Sequence, residues 1–581
     1  MSPERRSPTL AGSTGRGTPQ PPRWGTRLAL LVTIVATTVV LALCTAPLDA
    51  HSQPTVPAAP TPMGPSPVPV TLTIDRLAPG AAVPARFLGL SFEASALGQI
   101  GQYAHRGDLV GLLRSLGPGV LRFGGITADE NVGWTDATTP QPAWASSAIG
   151  APQLHAIGEL ARRSDWQVLL TVGMAHYEPQ AAAREVAAAH SALGPYLAAV
   201  EIGNEPNAYG AHGFRELPWL AQGYEEQVSA YREAIEALTP GVPIAGPDVS
   251  GSGAFLEWGE EEAIAQTPVM LTGHHYPLGC AQTPPPSIEA LLSSEIRGLQ
   301  ERSLAAYMLV AKRHGIPMRI DETNSVSCGG VAGISNTFAS ALWATGYITQ
   351  AMAAGTAGIN LEGNPSNCPG YTPVCAPAAT ALAAGTLRAQ PDWYALLLTR
   401  PLVGTRPLPV AISAVGSPSR EGPPAIEGSP TPEGSSNPEG APTTEASTNP
   451  GSSPNLVAAA FLAPNRSVKV VLVDDEPQSA APLKLSLNVG AGMGTASVMR
   501  LTALSPSAIE GVTLAGRAVA PNGSWRPPTR EESVSSSGGV ATLELDPSSA
   551  ALVTVNRRVT VRRRPPPADR HPTTAARRSR L

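Results

Sequence analysis

Two glutamates stand where apolar, strand-like runs break into loops. Glu205 sits within VEIGNEPN at 200–207, and Glu322 within MRIDETNS at 318–325. A pair of carboxyl groups facing one bond can divide acid and nucleophile roles between them. Hydrolysis of a glycosidic bond by the usual route needs that division: one group protonates the leaving oxygen, the other attacks or activates water. Barrel proteins present such groups at the C-terminal ends of different strands.

Local geometry separates these two from their neighbours. Residues two apart on a strand share a face, so Glu201, Gly203 and Glu205 point the same way. At roughly 3.3 Å per residue Glu201 lies about 13 Å deeper, which reads as a buried structural carboxylate beneath an exposed Glu205. Asn204, just before it, offers two donors and an acceptor to a sugar hydroxyl. On the second run, Met318, Ile320 and Glu322 share a face, so Glu322 is expected to follow the barrel interior to its mouth. Asp321 is then expected nearer the helices, paired with Arg319.

These positions need a scaffold. Between 87 and about 398, strand-like runs at 87–93, 120–124, 167–173, 198–203, 243–247, 269–275, 318–322 and 358–361 alternate with helical stretches such as 224–238 and 303–314. Eight such alternations predict a closed (β/α)8 TIM barrel of the α/β class, with its active face at the strand C-termini. After 400 the texture changes. Short runs at 456–461, 468–473, 483–489, 496–501 and 541–545 are divided by Gly, Pro and Asn, the signature of an antiparallel β-sandwich domain. The run 70–74 resembles these strands although it precedes the barrel.

The expected organisation is therefore a targeting segment at 1–50, a Pro-rich linker at 51–69, a strand at 70–84 joining the β-domain, and a barrel at 85–400. A β-sandwich follows at 401–556, interrupted by a low-complexity insertion at 416–455, and a basic tail runs over 557–581. The insertion is built from Pro, Glu, Gly, Ser and Thr, a composition that buries too little apolar surface to offset its ordering entropy. The tail carries nine arginines against the single Asp569, and reads either as a solvated tail or as a contact for anionic polymers or lipids.

Arg23 and Arg27 precede an uncharged 19-residue run, 28–46. This is the pattern of a cleaved signal or of a retained membrane anchor, and both place the rest of the chain outside the cell or on its surface. Beyond Cys44, four cysteines remain. Cys280 with Cys328, and Cys368 with Cys375, are the expected disulfides, each joining neighbouring loops. The spacing gives no CxxC or HExxH metal motif, so neither a metal nor a cofactor is expected. A net charge of −5 over 581 residues excludes a general nucleic-acid or polyanion binder.

Several stretches together resemble glycoside hydrolase family 79, the β-glucuronidase and heparanase group of retaining barrel glycosidases. They are LGLSFE at 88–93, LRFGG at 121–125, 201–207, His274-His275-Tyr276, ETNSVSCGGVAGISNTFASALW at 322–343, and GVTLAGRAVAPNGSW at 511–525. The resemblance covers roughly 70–555 apart from the insertion. It implies Glu205 as acid/base, Glu322 as nucleophile, Tyr276 as the phenol holding the nucleophile, and Asn204 and Glu93 as hydroxyl contacts. It further implies that Gly370 and Tyr371 seat the uronate carboxylate, and Gly329 joins them as a candidate substrate contact. His274 and His275 read as core or supporting residues, and Arg122 as a structural ion pair. The chain departs from the family at 361–364, LEGN, where several members carry a histidine. A carboxylate there, Glu362, would repel a uronate unless protonated or turned away.

The implied function is an exported retaining β-glycosidase acting on glucuronic-acid-containing glycans or conjugates, with carbohydrate as the partner. Two alternatives stay open: a related barrel glycosidase of arabinofuranosidase or glucosidase type, and a surface carbohydrate-binding protein without turnover.

Overall fold

A computed structural model describes residues 65–414 and 454–558. The apolar run 28–46, most of the Pro-rich linker, nearly all of the insertion and the basic tail lie outside the described residues. Among the described residues, no helix is long and apolar enough to cross a membrane.

Eight parallel strands form the central sheet. In chain order they are β1 (Leu88–Glu93), β2 (Gly119–Gly124), β3 (Trp166–Val172), β4 (Leu197–Ile202), β5 (Ala245–Ser250), β6 (Met270–His275), β7 (Met318–Thr323) and β8 (Gly358–Glu362). β8 pairs with β1, and Val200 bridges to Ile244 beside the start of β5, donating its N–H to the Pro243 carbonyl at 2.9 Å. These contacts close a TIM barrel. The strands are buried on both faces, as parallel strands covered by helices must be.

Inside, the inward residues change character with height. Val120, Leu169, Ala199 and Ala245 form an apolar floor. Two residues further along the same strands stand Arg122, Thr171 and Glu201, all buried. The polar site is thus the next layer of an ordinary barrel interior.

The expected facing of β7 is wrong. Met318 and Ile320 join the large apolar cluster that also holds the helix residues Leu304 and Tyr307. Arg319 and Asp321 point inward instead: Arg319 Nε donates to Asn360 Oδ1 at 2.6 Å, and Asp321 Oδ2 lies 2.9 Å from Arg122 Nε. The pairing register then shifts between Ile320 and Glu322 against β6, and between Ile320 and Thr323 against β8. A bulge of this kind breaks the two-residue alternation. It lets Asp321 and Glu322, adjacent in sequence, both reach the interior.

The second sheet has eleven strands and is antiparallel except where Val68–Ile74 runs parallel to Leu483–Asn488. Its inner face buries Val70, Leu72, Leu485, Leu487, Val553 and their neighbours. The opposite face of several of these strands meets the barrel: Phe461, Val471, Leu501 and Leu552 belong to the same apolar cluster as the barrel helices. Helix Phe338–Ala354 is accordingly apolar nearly all round, and every residue of helix Pro391–Thr399 is buried. The first amides of Phe338–Ala354, which have no partner within the helix, donate to the Ala508 and Pro506 carbonyls of the β-domain at 2.8 Å each.

Both expected disulfides are present, Cys280–Cys328 and Cys368–Cys375. The first ties the loop after β6 to the loop after β7, and the second closes the loop after β8.

Candidate active site

At the C-terminal mouth, one guanidinium gathers four carboxylates from three strands. Arg122 on β2 lies 3.0 Å from Glu201 Oε2, 2.8 Å from Asp248 Oδ2, 2.9 Å from Asp321 Oδ2 and 2.7 Å from Glu322 Oε2. It also donates to Asn204 Oδ1 at 2.9 Å and Ser91 Oγ at 3.2 Å. Only Arg presents five donors in a fixed fork, so only Arg can serve this many acceptors at once. Burial alone would favour the neutral form of Arg122. Asp248, Glu201, Asp321 and Glu322 outweigh that and hold its pKa well above the usual value.

One cation cannot neutralise four anions. Burial and the neighbouring Asp321 push Glu201 up to about 7, and burial with Asp248 raises Asp321. These two inner carboxyls therefore carry protons more readily than Glu322 does. Burial opposes ionisation of Glu322 as well, yet His274, Arg122 and the Tyr276 hydroxyl hold its pKa below the ordinary value. Tyr276 donates to Glu322 Oε1 at 2.8 Å while Arg122 Nη1 donates to Oε2. Both oxygens of an ionised Glu322 are thus fixed by donors.

Glu205 is presented differently. It follows β4 in a left-handed conformation, φ 46° and ψ 50°, immediately before Pro206. A non-glycine residue there costs on the order of 1–3 kcal/mol and persists only where its surroundings impose it. Here the Glu205 N–H donates to the Asp248 carbonyl at 2.9 Å. Gly203 has φ 80°, and a side chain on it would meet the Tyr209 hydroxyl at 2.6 Å. The Glu205 side chain is 24 % exposed against 11 % for Glu322 and 0 % for Glu201, so Glu205 is the one that opens to solvent.

His274 links the two halves. Its Nε2 lies 2.7 Å from Asp248 Oδ1, and its Nδ1 lies 2.9 Å from Glu205 Oε1 and 3.9 Å from Glu322 Oε1. Burial disfavours the imidazolium, but Glu322, Asp248 and Asp321 raise its pKa well above the usual value. One carboxylate oxygen of Glu205, one of Glu322 and a ring nitrogen of His274 all lie within 4.8 Å of one another. His275, next in sequence, is buried against Tyr347 outside this cluster; burial lowers it to about 4.

The remaining sequence candidates surround this pair. Asn204 receives its position from both sides, its N–H donating to Asp129 Oδ2 at 3.0 Å and its Oδ1 accepting from Arg122. Its Nδ2 has no protein acceptor among the described residues. Glu93 Oε2 accepts from the Thr127 N–H at 3.0 Å and from its hydroxyl at 2.6 Å. Tyr371 stacks on Tyr276 with ring centroids 5.8 Å apart, and their hydroxyls are 3.3 Å apart. Gly329 and Gly370 pack on each other: a side chain at 370 would collide with the Gly329 carbonyl, which also accepts the Tyr371 N–H at 3.2 Å. These two glycines fit the loops after β7 and β8 together and so hold Tyr371 in place.

Sequence reasoning passed over Asp248 and Asp129, and it read Arg122 and His274 as supporting residues. Asp248 carries the same signal as Glu205, a carboxylate at the end of a strand-like run, and stands one residue beyond the run 243–247. Asp129 carries its signal only in three dimensions, where it accepts from the amides of Met174, Ala175 and Asn204 and from the Tyr209 hydroxyl.

No protein-family model matches the chain, and no curated protein matches it. Solved structures do. Over 83 % of its length the chain is similar to all of a 4-O-α-L-rhamnosyl-β-D-glucuronidase from Fusarium oxysporum 12S, solved with Rha-GlcA, at TM-score 0.61 and 20 % identity. Over 84 % of its length it is similar to all of the family 51 α-L-arabinofuranosidase AbfB from Bifidobacterium longum, at TM-score 0.58 and 14 % identity. A GH51 arabinofuranosidase from Xanthomonas axonopodis pv. citri gives TM-score 0.56 at 14 % identity, over 84 % of this chain and all of that one. The chain shares the fold of these proteins, a TIM barrel with an attached β-domain.

Proposed function

We propose that the chain is an exported retaining β-glycosidase of β-glucuronidase type, acting on glucuronic-acid-containing glycans or conjugates. The observation that carries this reading is the approach of Glu205 to Glu322, with oxygens within 4.8 Å. Retaining glycosidases hold their carboxyls about 5–5.5 Å apart, whereas inverting ones leave roughly 6.5–9.5 Å for a water molecule. The gap here suits direct attack on the sugar.

In the first step, Glu205 gives its proton to the glycosidic oxygen as the bond from that oxygen to C1 breaks, and a Glu322 oxygen bonds to C1. In the second, water attacks C1, its proton passes to Glu205, and Glu322 leaves as a carboxylate. Arg122 and Tyr276 keep Glu322 ionised and aimed. His274, anchored on Asp248, orients Glu205. Asn204, with Nδ2 free of protein acceptors, suits a sugar hydroxyl, and Glu93 lies within the electrostatic reach of Glu322 for another.

Two further features support the finer parts of the reading. The disulfides favour an oxidising compartment, and so export. Tyr371, beside Tyr276 in the loop after β8, offers a phenol for a uronate carboxylate, the class of sugar present in the Fusarium complex. The test is a panel of p-nitrophenyl glycosides. Turnover highest on the β-D-glucuronide is expected. Turnover highest on the α-L-arabinofuranoside or β-D-glucoside would replace the sugar assignment, and no turnover on any would remove the enzyme reading.

A further inference from the structure

Glu362 ends β8, in register with Ser91 of β1, and no step of the mechanism above uses it. The residue is 3 % exposed, its carboxyl lies beside the Ser91 hydroxyl, and among the described residues its Oε2 has no hydrogen-bond partner. Its backbone is pinned: Asn324 Nδ2 donates to its carbonyl at 2.8 Å, while also reaching Asp392 Oδ2 at 3.3 Å, and the Gly363 N–H donates to the Ser91 carbonyl at 3.0 Å. Thr372 and Pro373 close on Gly363, where an added side chain would meet them at 2.8 and 2.9 Å. That contact brings the loop carrying Tyr371 onto the end of β8, and Tyr371 in turn reaches Glu322 through Tyr276. A buried polar oxygen without a partner is rare and asks for a reason.

We propose that Glu362 determines the class of sugar: held as the neutral acid, its carboxyl donates a hydrogen bond to the carboxylate of a uronic acid. The inference rests on the glycosidase reading and deepens it. An O–H donating to a carboxylate makes one of the stronger hydrogen bonds available to a protein. The ionised carboxylate in the same place would repel the same sugar.

The groups facing Glu362 are Ser91 and Glu93 from β1, Arg122 from β2, Tyr276 after β6, Glu322 from β7 and Tyr371 after β8. The two carboxylates favour the protonated acid, whereas Arg122 and the Ser91 hydroxyl favour the ionised form. Arg122 is the single cation among them, and four carboxylates already share it. Burial first, then Glu322 and Glu93, raise Glu362 well above the ordinary carboxyl value. Preference for an acid sugar is therefore present at low pH and is lost as rising pH ionises Glu362.

The experiment compares kcat/KM for p-nitrophenyl β-D-glucuronide and β-D-glucoside from about pH 5 to pH 9, in the wild type and in Glu362→Gln. The wild-type glucuronide/glucoside ratio should fall at least about tenfold across the range. Gln donates from its amide at every pH, so the Glu362→Gln ratio should stay flat, within a few-fold of the wild-type value at low pH. A flat wild-type ratio, or a Glu362→Gln ratio that follows the wild-type course, overturns the proposal. If Glu362→Gln does not fold, the wild-type pH course decides alone. A wild type that cleaves glucosides but never glucuronides overturns the proposal while leaving a glycosidase. One that cleaves no aryl glycoside removes the glycosidase reading and the proposal together.

Discussion

Glu322 has each oxygen held by a different donor, Tyr276 on one side and Arg122 on the other, and this division of labour is testable by removal. Glu322→Ala should lower kcat by at least about a thousand-fold. Azide should restore part of it, giving a glycosyl azide of inverted configuration, because a small anion can enter the emptied space and attack C1 once. Azide without effect on a folded Glu322→Ala protein would contradict the nucleophile role. For Glu205 the discriminating readout is the leaving group. Glu205→Gln should strongly slow substrates with poor leaving groups and spare activated aryl glycosides, which need little protonation. Equal losses on both would deny it the acid role. The two glutamates were legible because their residue type and their place at strand ends coincide in a few consecutive letters. Arg122 and His274 were not, because what defines them is partners on other strands: Asp248, Glu201, Asp321 and Glu205.

Among the elements, all eight barrel strands could be read from apolar runs, since strands buried on both faces leave continuous hydrophobic stretches. Facing was less legible. On β7 the alternation Met318, Ile320, Glu322 points to one face, and the bulge after Ile320 defeats that count; a bulge leaves little mark on residue type. Helix Pro179–Leu193 shows a second feature hidden from pattern reading, the buried Glu185 among its alanines. Burial raises Glu185 to about 8 from an ordinary 4.5. Between those values the folded chain keeps a proton that the unfolded chain has lost. The stability Glu185 contributes is thus full below about pH 4.5, falls as pH rises, and is gone above about pH 8. Glu185→Gln, which cannot ionise, should gain on the wild type across that window, reaching an advantage of a few kcal/mol. Denaturant melts at a series of pH values would measure it, and a gap that does not change with pH would contradict the assignment.

For the whole molecule, the β-domain buries apolar surface of the barrel helices. It covers the helix that follows β7, Phe338–Ala354, supplies carbonyls to its first amides, and takes the Tyr394 hydroxyl as acceptor for the Val519 N–H at 3.0 Å. Residues 85–400 produced alone should therefore fail to give a soluble, cooperatively unfolding barrel, whereas a soluble and active fragment would show the β-domain to be dispensable. The change of texture after 400 announced such a domain, but nothing in the letters showed which barrel helices it would cover. Both sheets meet their purpose in one distance, the approach of Glu205 to Glu322. Its consequence is stereochemical, and ¹H NMR of the first product released from an aryl β-D-glucuronide reads it directly. The β-anomer of glucuronic acid should appear first and then mutarotate. If the α-anomer appears first, the carboxyls do not work as acid and nucleophile across a single bond, and the account fails.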